Sequence, residues 1–252
     1  GANVTHPDLS QEPFWEPLRE VFDWAQENVT SVLCSCLATH AAMQFHHGQK
    51  RHALPAKRWG VFPHRVIQAN HPLVNDVNTQ FDVPHSRFNN ISAAQFREAG
   101  LHVLVESVEA RVHLAVSADG IRVVYFQGHP EYDTVSLLKE NKREVQRYAA
   151  GERSAYAPFP ENYLKPREQA ILHEYRLRLA AAQSTGQPAP EFPEKLVAAR
   201  VDNTWHDAAE GIVGNWIGLV YQLTHEERKL PFMDGVDLHN PLGLDWITES
   251  HP

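Results

Sequence analysis

The sequence predicts an α/β fold, a β-sheet with helices packed against it, and three observations carry that prediction. Residues 101–127, LHVLVESVEARVHLAVSADGIRVVYFQ, cluster Val, Leu, Ile, Tyr and Phe around an Asp119-Gly120 turn signal, the pattern of at least three strands in quick succession. Apolar residues recur at helical spacing near both ends of the chain. Between them, TSVLCSCLATHAAM (30–43) passes from a β-branched, apolar run into an Ala-rich, helix-favouring one, so a strand feeds directly into a helix.

Taken in order, Pro13 to Ala25 places Trp15, Leu18, Val21, Phe22 and Ala25 on one helical stripe, with Pro13 suited to the first turn. Val29 to Leu33 is a short strand, and Leu37 to Phe45 is a helix that ends before Gly48. From Gly48 to Val66 the chain carries Lys50, Arg51, Lys57, Arg58 and Arg65 and no acid; it reads as a solvated basic loop that could also meet an anionic small molecule. After the strands of 101–127, Val135 to Tyr148 and Arg167 to Ala182 read as helices, and Pro-rich polar stretches between them and at 184–194 read as loops. A last helix spans Asp207 to Leu223, with Ile212, Val213, Trp216, Val220 and Leu223 facing inward.

Composition bounds the function. The chain has 252 residues, 42% hydrophobic and 21% charged, enough to bury one large core or two small ones. A net charge of -8 argues against a general nucleic-acid binder. No run of about 18 apolar residues is present and no basic-then-apolar leader opens the sequence, so neither a membrane partner nor secretion is expected, and the expected location is cytoplasmic.

Cys34 and Cys36 are the two cysteines of the chain. A bridge between residues two apart would be strained, and no second Cys/His pair completes a metal site, so disulfide and metal readings are poor. A nucleophile at a strand-to-helix turn stands above the sheet edge, where the free N–H groups of the helix start can stabilise a thiolate or an oxyanion. Cys36 has that position, and Cys34, on the preceding strand, reads as a buried hydrophobe. A base is needed, and Gly128-His129-Pro130-Glu131 supplies one: a histidine just past a core strand with a carboxylate two residues on to orient it. His46, His47 and His52 have no acidic or Cys partner at metal spacing and are expected at the surface.

TSVLCSCLATHAAM, LPAKRWGVFPHRV (54–66), VPHSRF (83–88), FQGHPEYD (126–133) and NTWHDAAEGIVGNWIGLVYQ (203–222) resemble, in order and spacing, the homoserine O-succinyltransferase/O-acetyltransferase family of methionine biosynthesis. The resemblance covers about residues 1–164 and 203–224, with 165–202 as an insertion, and Leu37 stands where the family usually has Trp. It implies a flavodoxin-like, class I glutamine amidotransferase-like three-layer sandwich with a Cys-His-Glu triad. Cys36 would then form the acyl-thioester, His129 act as general base and Glu131 orient it. The same resemblance implies substrate contacts from Lys57, Ser86 and Arg143 and an acyl-selectivity position at Thr5.

Residues 1–252 are thus expected to form a single acyltransferase domain, the C-terminal part of the family fold. Gly1 to Thr5 resembles a segment that lies well inside family sequences, so the first strands and helices of the fold are expected to be absent and a companion segment to pair beside Val32 to Cys34. The expected partners are L-homoserine and succinyl-CoA or acetyl-CoA, with acyl-CoA as co-substrate, no further cofactor and a homodimeric assembly. A glutamate at position 5 would repel a succinyl carboxylate, whereas Thr5 is neutral and small, which favours succinyl. O-acetyl transfer, serine as acceptor, a glutamine-hydrolysing Cys enzyme of the same fold and an inactive binding module stay open as alternatives.

Overall fold

In the computed structural model, which describes Val4 and residues 6–227 and 230–245, the chain winds a six-stranded mixed sheet with helices on both faces. The helix expected from Pro13 is α1 (Trp15–Asn28), and its stripe buries Trp15, Phe22 and Ala25. β1 (Val32–Ser35) runs into α2 (Leu37–His47), which Gly48 stops in the left-handed conformation at φ 64°. The predicted strand cluster is β4 (His102–Ser107), β5 (Arg111–Val116) and β6 (Val123–Phe126), with Asp119-Gly120 in the turn between β5 and β6. The charged helix is α4 (Ser136–Ala149). Residues 165–202 hold α5 (Pro166–Thr185) and α6 (Glu194–Ala198), and α7 (His206–Leu223) closes the series.

The basic stretch 48–66 corrects the sequence reading. Most of it is β2 (His52–Val66), paired antiparallel along its length with β3 (Gln80–Asn90) and, at Arg65 and Val66, with β4. Its prolines disguise it. Pro55 falls where the pairing skips from Ala53 to Arg58, and Pro63 precedes the point at which β4 joins, so neither interrupts a two-sided ladder. β3 and the short α3 (Ala93–Glu98), which opens on a Ser92/Gln95 capping box, were not legible as elements.

The strand order is β1-β6-β5-β4-β2-β3, and β1–β6 is the parallel pair. Three apolar cores follow from it. One face packs α1, α2 and α3 on Cys34, Val103, Ala115 and Tyr125. The other packs α7 on Leu104, Leu114, Val124 and Phe126, so alternate residues of β6 point into opposite layers. The third joins α4, α5 and α6 to Trp59 and Val61 of β2. Of the inward stripe expected on the last helix, Ile212 and Leu223 are buried and Val213, Trp216 and Val220 are half-buried. β1 is an edge strand, and among the described residues no companion strand lies on its far side. No helix among the described residues is long and apolar enough to cross a membrane.

Candidate active site

Parallel pairing of β1 with β6 carries both chains to the same edge of the sheet, and the two leading site residues lie just past it. Cys36 forms the turn between β1 and α2 with φ 50° and ψ -104°, a conformation that costs a non-glycine residue about 1–3 kcal/mol and persists only where surrounding contacts fix it. Those contacts are present. Cys36 N–H donates to Phe126 O at 2.8 Å, and the Thr39 hydroxyl lies 2.7 Å from Phe126 O and 3.0 Å from Cys34 O. The strain turns the Cys36 side chain off the strand at the start of α2, whose first N–H groups have no intrahelical acceptor.

His129 follows β6 by three residues, and its backbone N–H is anchored on Pro84 O of β3 at 2.8 Å. Its Nδ1 meets Glu131 Oε1 at 2.7 Å, and Cys36 and Glu131 are the groups that act on its charge. Burial alone would lower its pKa, but interaction with Cys36 and Glu131 outweighs burial and raises it to about 9. At neutral pH the ring is therefore an imidazolium held between the two. Burial works against the Glu131 carboxylate, yet hydrogen bonds from His129 and Ser35 hold its pKa below the ordinary value. Ser35 Oγ, in the residue before Cys36, donates to Glu131 Oε2 at 3.2 Å and closes the circuit. Cys34 differs in kind: it is buried, and desolvation pushes its thiol up to about 12.

A second polar group centres on Glu140, which sequence reasoning missed. Tyr132 Oη donates to Glu140 Oε1 at 2.5 Å, while Ser86 Oγ at 2.7 Å and Lys57 Nζ at 3.1 Å share Oε2. Lys57 also sits 4.4 Å over the Trp59 ring. The Tyr132 ring stacks on His129 at 4.2 Å, which joins this group to His129 and Glu131. Lys57 and Ser86 are therefore brought together on one carboxylate oxygen. Arg143 lies one turn beyond Glu140 on α4 with its side chain 66% exposed, its nearest carboxylate being Glu144 at 3.9 Å. Thr5 lies outside the described residues. A signal for Glu140 existed: it borders Leu137, Leu138 and Val145, the apolar residues that the helix buries, where a carboxylate is out of place.

Beneath the triad lies a buried polar layer. At Gly128 a Cβ would come within 2.5 Å of Val83, 2.8 Å of His113 and 3.0 Å of His85, so the residue before His129 has room for glycine alone. Arg87 Nε donates to His85 Nδ1 at 3.2 Å, so the His85 proton is on Nε2 and points to His64 Nε2 at 3.2 Å. His64 in turn donates from Nδ1 to Phe62 O at 2.8 Å. Burial keeps His64, His85 and His113 uncharged. The buried Arg87 guanidinium is satisfied by the carbonyls of Asn89 and Ala110 and by Asn90 Oδ1. Of the histidines expected at the surface, His52 is exposed, but His46 is half-buried, tilted against Phe22 and edge-on to Phe45, and His47 lies 3.2 Å from Tyr125 Oη, because the last turn of α2 packs on α1 and β6.

Comparisons with known proteins follow the same line. A family model described as homoserine O-succinyltransferase matches residues 1–226. The chain is 67% identical over 244 residues to the homoserine O-succinyltransferase of Allochromatium vinosum, covering 97% of this chain and 68% of that protein. It is 60% identical over 244 residues to that of Nitrosococcus oceani, with the same shares of each chain. Among solved structures it is similar to a glutamine amidotransferase from Methylobacillus flagellatus, with a TM-score of 0.50 and 14% identity over 82% of this chain and 70% of that one, a likeness of fold. A strained cysteine elbow facing a buried histidine on a class I glutamine amidotransferase-like sheet, in a chain this close to those relatives, has one consistent placement: the chain belongs to the homoserine O-succinyltransferase family.

Proposed function

We propose that this chain transfers the succinyl group of succinyl-CoA to the hydroxyl of L-homoserine through a thioester on Cys36. The observation that carries the reading is the Cys36–His129–Glu131 arrangement at a strained strand-to-helix turn in a member of this family. The Cys36 thiolate attacks the thioester carbonyl, the N–H groups at the start of α2 receive the developing oxyanion, and the imidazolium of His129 protonates the departing CoA thiolate. An acyl-enzyme and a neutral His129 remain.

Acylation also prepares the second half. Cys36 now carries the acyl group, and delivery of its proton to CoA has left His129 neutral. His129 then takes the homoserine hydroxyl proton as the oxygen attacks the acyl carbonyl, Cys36 leaves as thiolate, and the ion pair is restored. Glu131 keeps Nδ1 occupied throughout, so that the other ring nitrogen faces the reacting atoms.

Homoserine brings one ammonium and one carboxylate, and α4 offers one group for each. Glu140 has one lone-pair site left after Tyr132, Ser86 and Lys57 and receives the ammonium; Arg143, one turn on, pairs with the carboxylate. Lys57, anchored between Glu140 and Trp59, is the cation for the distal succinyl carboxylate, and Thr5 is the acyl-selectivity position. A product assay with succinyl-CoA, acetyl-CoA or glutamine as donor and homoserine or serine as acceptor tests the reading. O-succinylhomoserine with release of CoA is expected. Ammonia from glutamine without CoA release would replace the transferase with a hydrolase.

A further inference from the structure

The nucleophile and its base come from different elements, and what fixes the distance between them is not in the triad. Gln127 lies between Phe126, the last residue of β6, and Gly128, and it is fully buried. Its amide uses every site it has. Oε1 accepts the Ile91 N–H at 2.8 Å, and Nε2 donates to Ile91 O at 2.9 Å and Val112 O at 3.2 Å, so the donor and acceptor of Ile91 fix which end of the amide is oxygen. The remaining partner of Oε1 is His40 Nε2 at 3.2 Å. That assigns the His40 proton to Nε2, and burial keeps the ring neutral.

His40 stands four residues after Cys36 in the first turns of α2, and its N–H donates to Cys36 O. Gln127 stands two residues before His129. Cys36 N–H and Thr39 Oγ1 tie the elbow to Phe126 O, a backbone atom any sequence would supply, whereas the His40–Gln127 bond is a side-chain link that runs from the helix of the nucleophile to the segment of the base. The same amide binds that segment to the end of β3 and to β5, which makes Gln127 a four-way node directly behind the site.

We infer that Gln127, together with His40, is a positioning residue that holds the strained Cys36 turn and His129 in register, so that thiol and imidazole meet. It does not touch substrate. The inference rests on Cys36 and His129 working as a pair, and a small alkylating probe reads that pair without acyl-CoA or homoserine.

The experiment measures the rate at which iodoacetamide modifies Cys36 in the full chain, followed by peptide mass, in a cycle of Gln127→Met, His129→Asn and the double variant. Gln127→Met keeps the length of the side chain and removes the amide. Slowing by about tenfold is expected in Gln127→Met, with no further slowing when His129 is already Asn. In turnover the same variant should lose kcat with KM for succinyl-CoA unchanged, since the acyl-CoA contacts are untouched. His40→Phe, which keeps a ring and drops the donor, should move both readouts the same way, and it carries the cycle alone if Gln127→Met does not fold. An unchanged alkylation rate in a folded variant, or an equal slowing with and without His129, would overturn the inference. If His129→Asn alone leaves the rate untouched, the pair itself is wrong, which is a separate failure.

Discussion

Cys34 and Cys36 are two residues apart and chemically unlike. Cys34 points into the layer under α1 and α2, where burial holds its thiol proton, while Cys36 sits at the helix start against His129. Cys36→Ser should abolish acyl-enzyme formation and Cys34→Ser should leave it within about twofold, since a buried Cys acts as a small hydrophobe; mass spectrometry of the trapped intermediate distinguishes them. The pH dependence follows from His129. Its folded-state pKa, about 9, is raised above the ordinary 6.5, so the stability it contributes is fully present below pH 6.5 and is lost as pH rises through about 9. Thermal midpoints of wild type and His129→Asn should therefore converge over that window, and parallel curves would contradict the ion pair. Glu140→Gln keeps the shape and removes the charge, and KM for homoserine should rise by roughly 10- to 100-fold, the worth of a hydrogen bond to a charged group. The placement of Cys36 at the strand-to-helix turn and of Glu131 on the His129 ring was legible because it shows in local spacing. Glu140 was not, because Lys57, Ser86 and Tyr132 reach it from three different segments, and sequence spacing carries no trace of that meeting.

At the scale of elements, the legible ones had a clean period: α1, α2, α4, α5, α7 and the β4–β6 cluster all stand within a few residues of their expected bounds. β2 and β3 were hidden by Pro55, Pro63 and Pro84 and by cations whose partners lie elsewhere in the chain. Their hairpin nevertheless places Lys57, Pro84 and Ser86 around His129. The contact that links β3 to the site is the passage of Gly128 over Val83 and His85, so Gly128→Ala should cost about 1–3 kcal/mol of stability from overpacking. It should also push His129 away from Cys36. A chemical-denaturation midpoint equal to that of wild type would mean that β3 yields. Residues 165–202 brace α4 from outside, with Lys142 Nζ 2.5 Å from Glu194 Oε2 and Leu172, Tyr175 and Val197 packed in the same core as Leu137 and Leu138.

Across the whole molecule, the α/β class was legible from composition and alternation, but the strand order was not. One parallel pair beside four antiparallel ones depends on long-range register, which no local pattern encodes. The expected homodimer has apolar side chains available to it on α1, where Val21 and Trp24 are each more than half exposed. Sedimentation equilibrium should return twice the chain mass, and a monomer at all concentrations would contradict the assembly. The covalent step is read from the intact mass of the protein after mixing with succinyl-CoA in the absence of homoserine. A gain of one succinyl group is expected, lost on adding homoserine and never formed in Cys36→Ser. Turnover of succinyl-CoA and homoserine with no mass gain under any condition, or a gain that persists in Cys36→Ser, would contradict it.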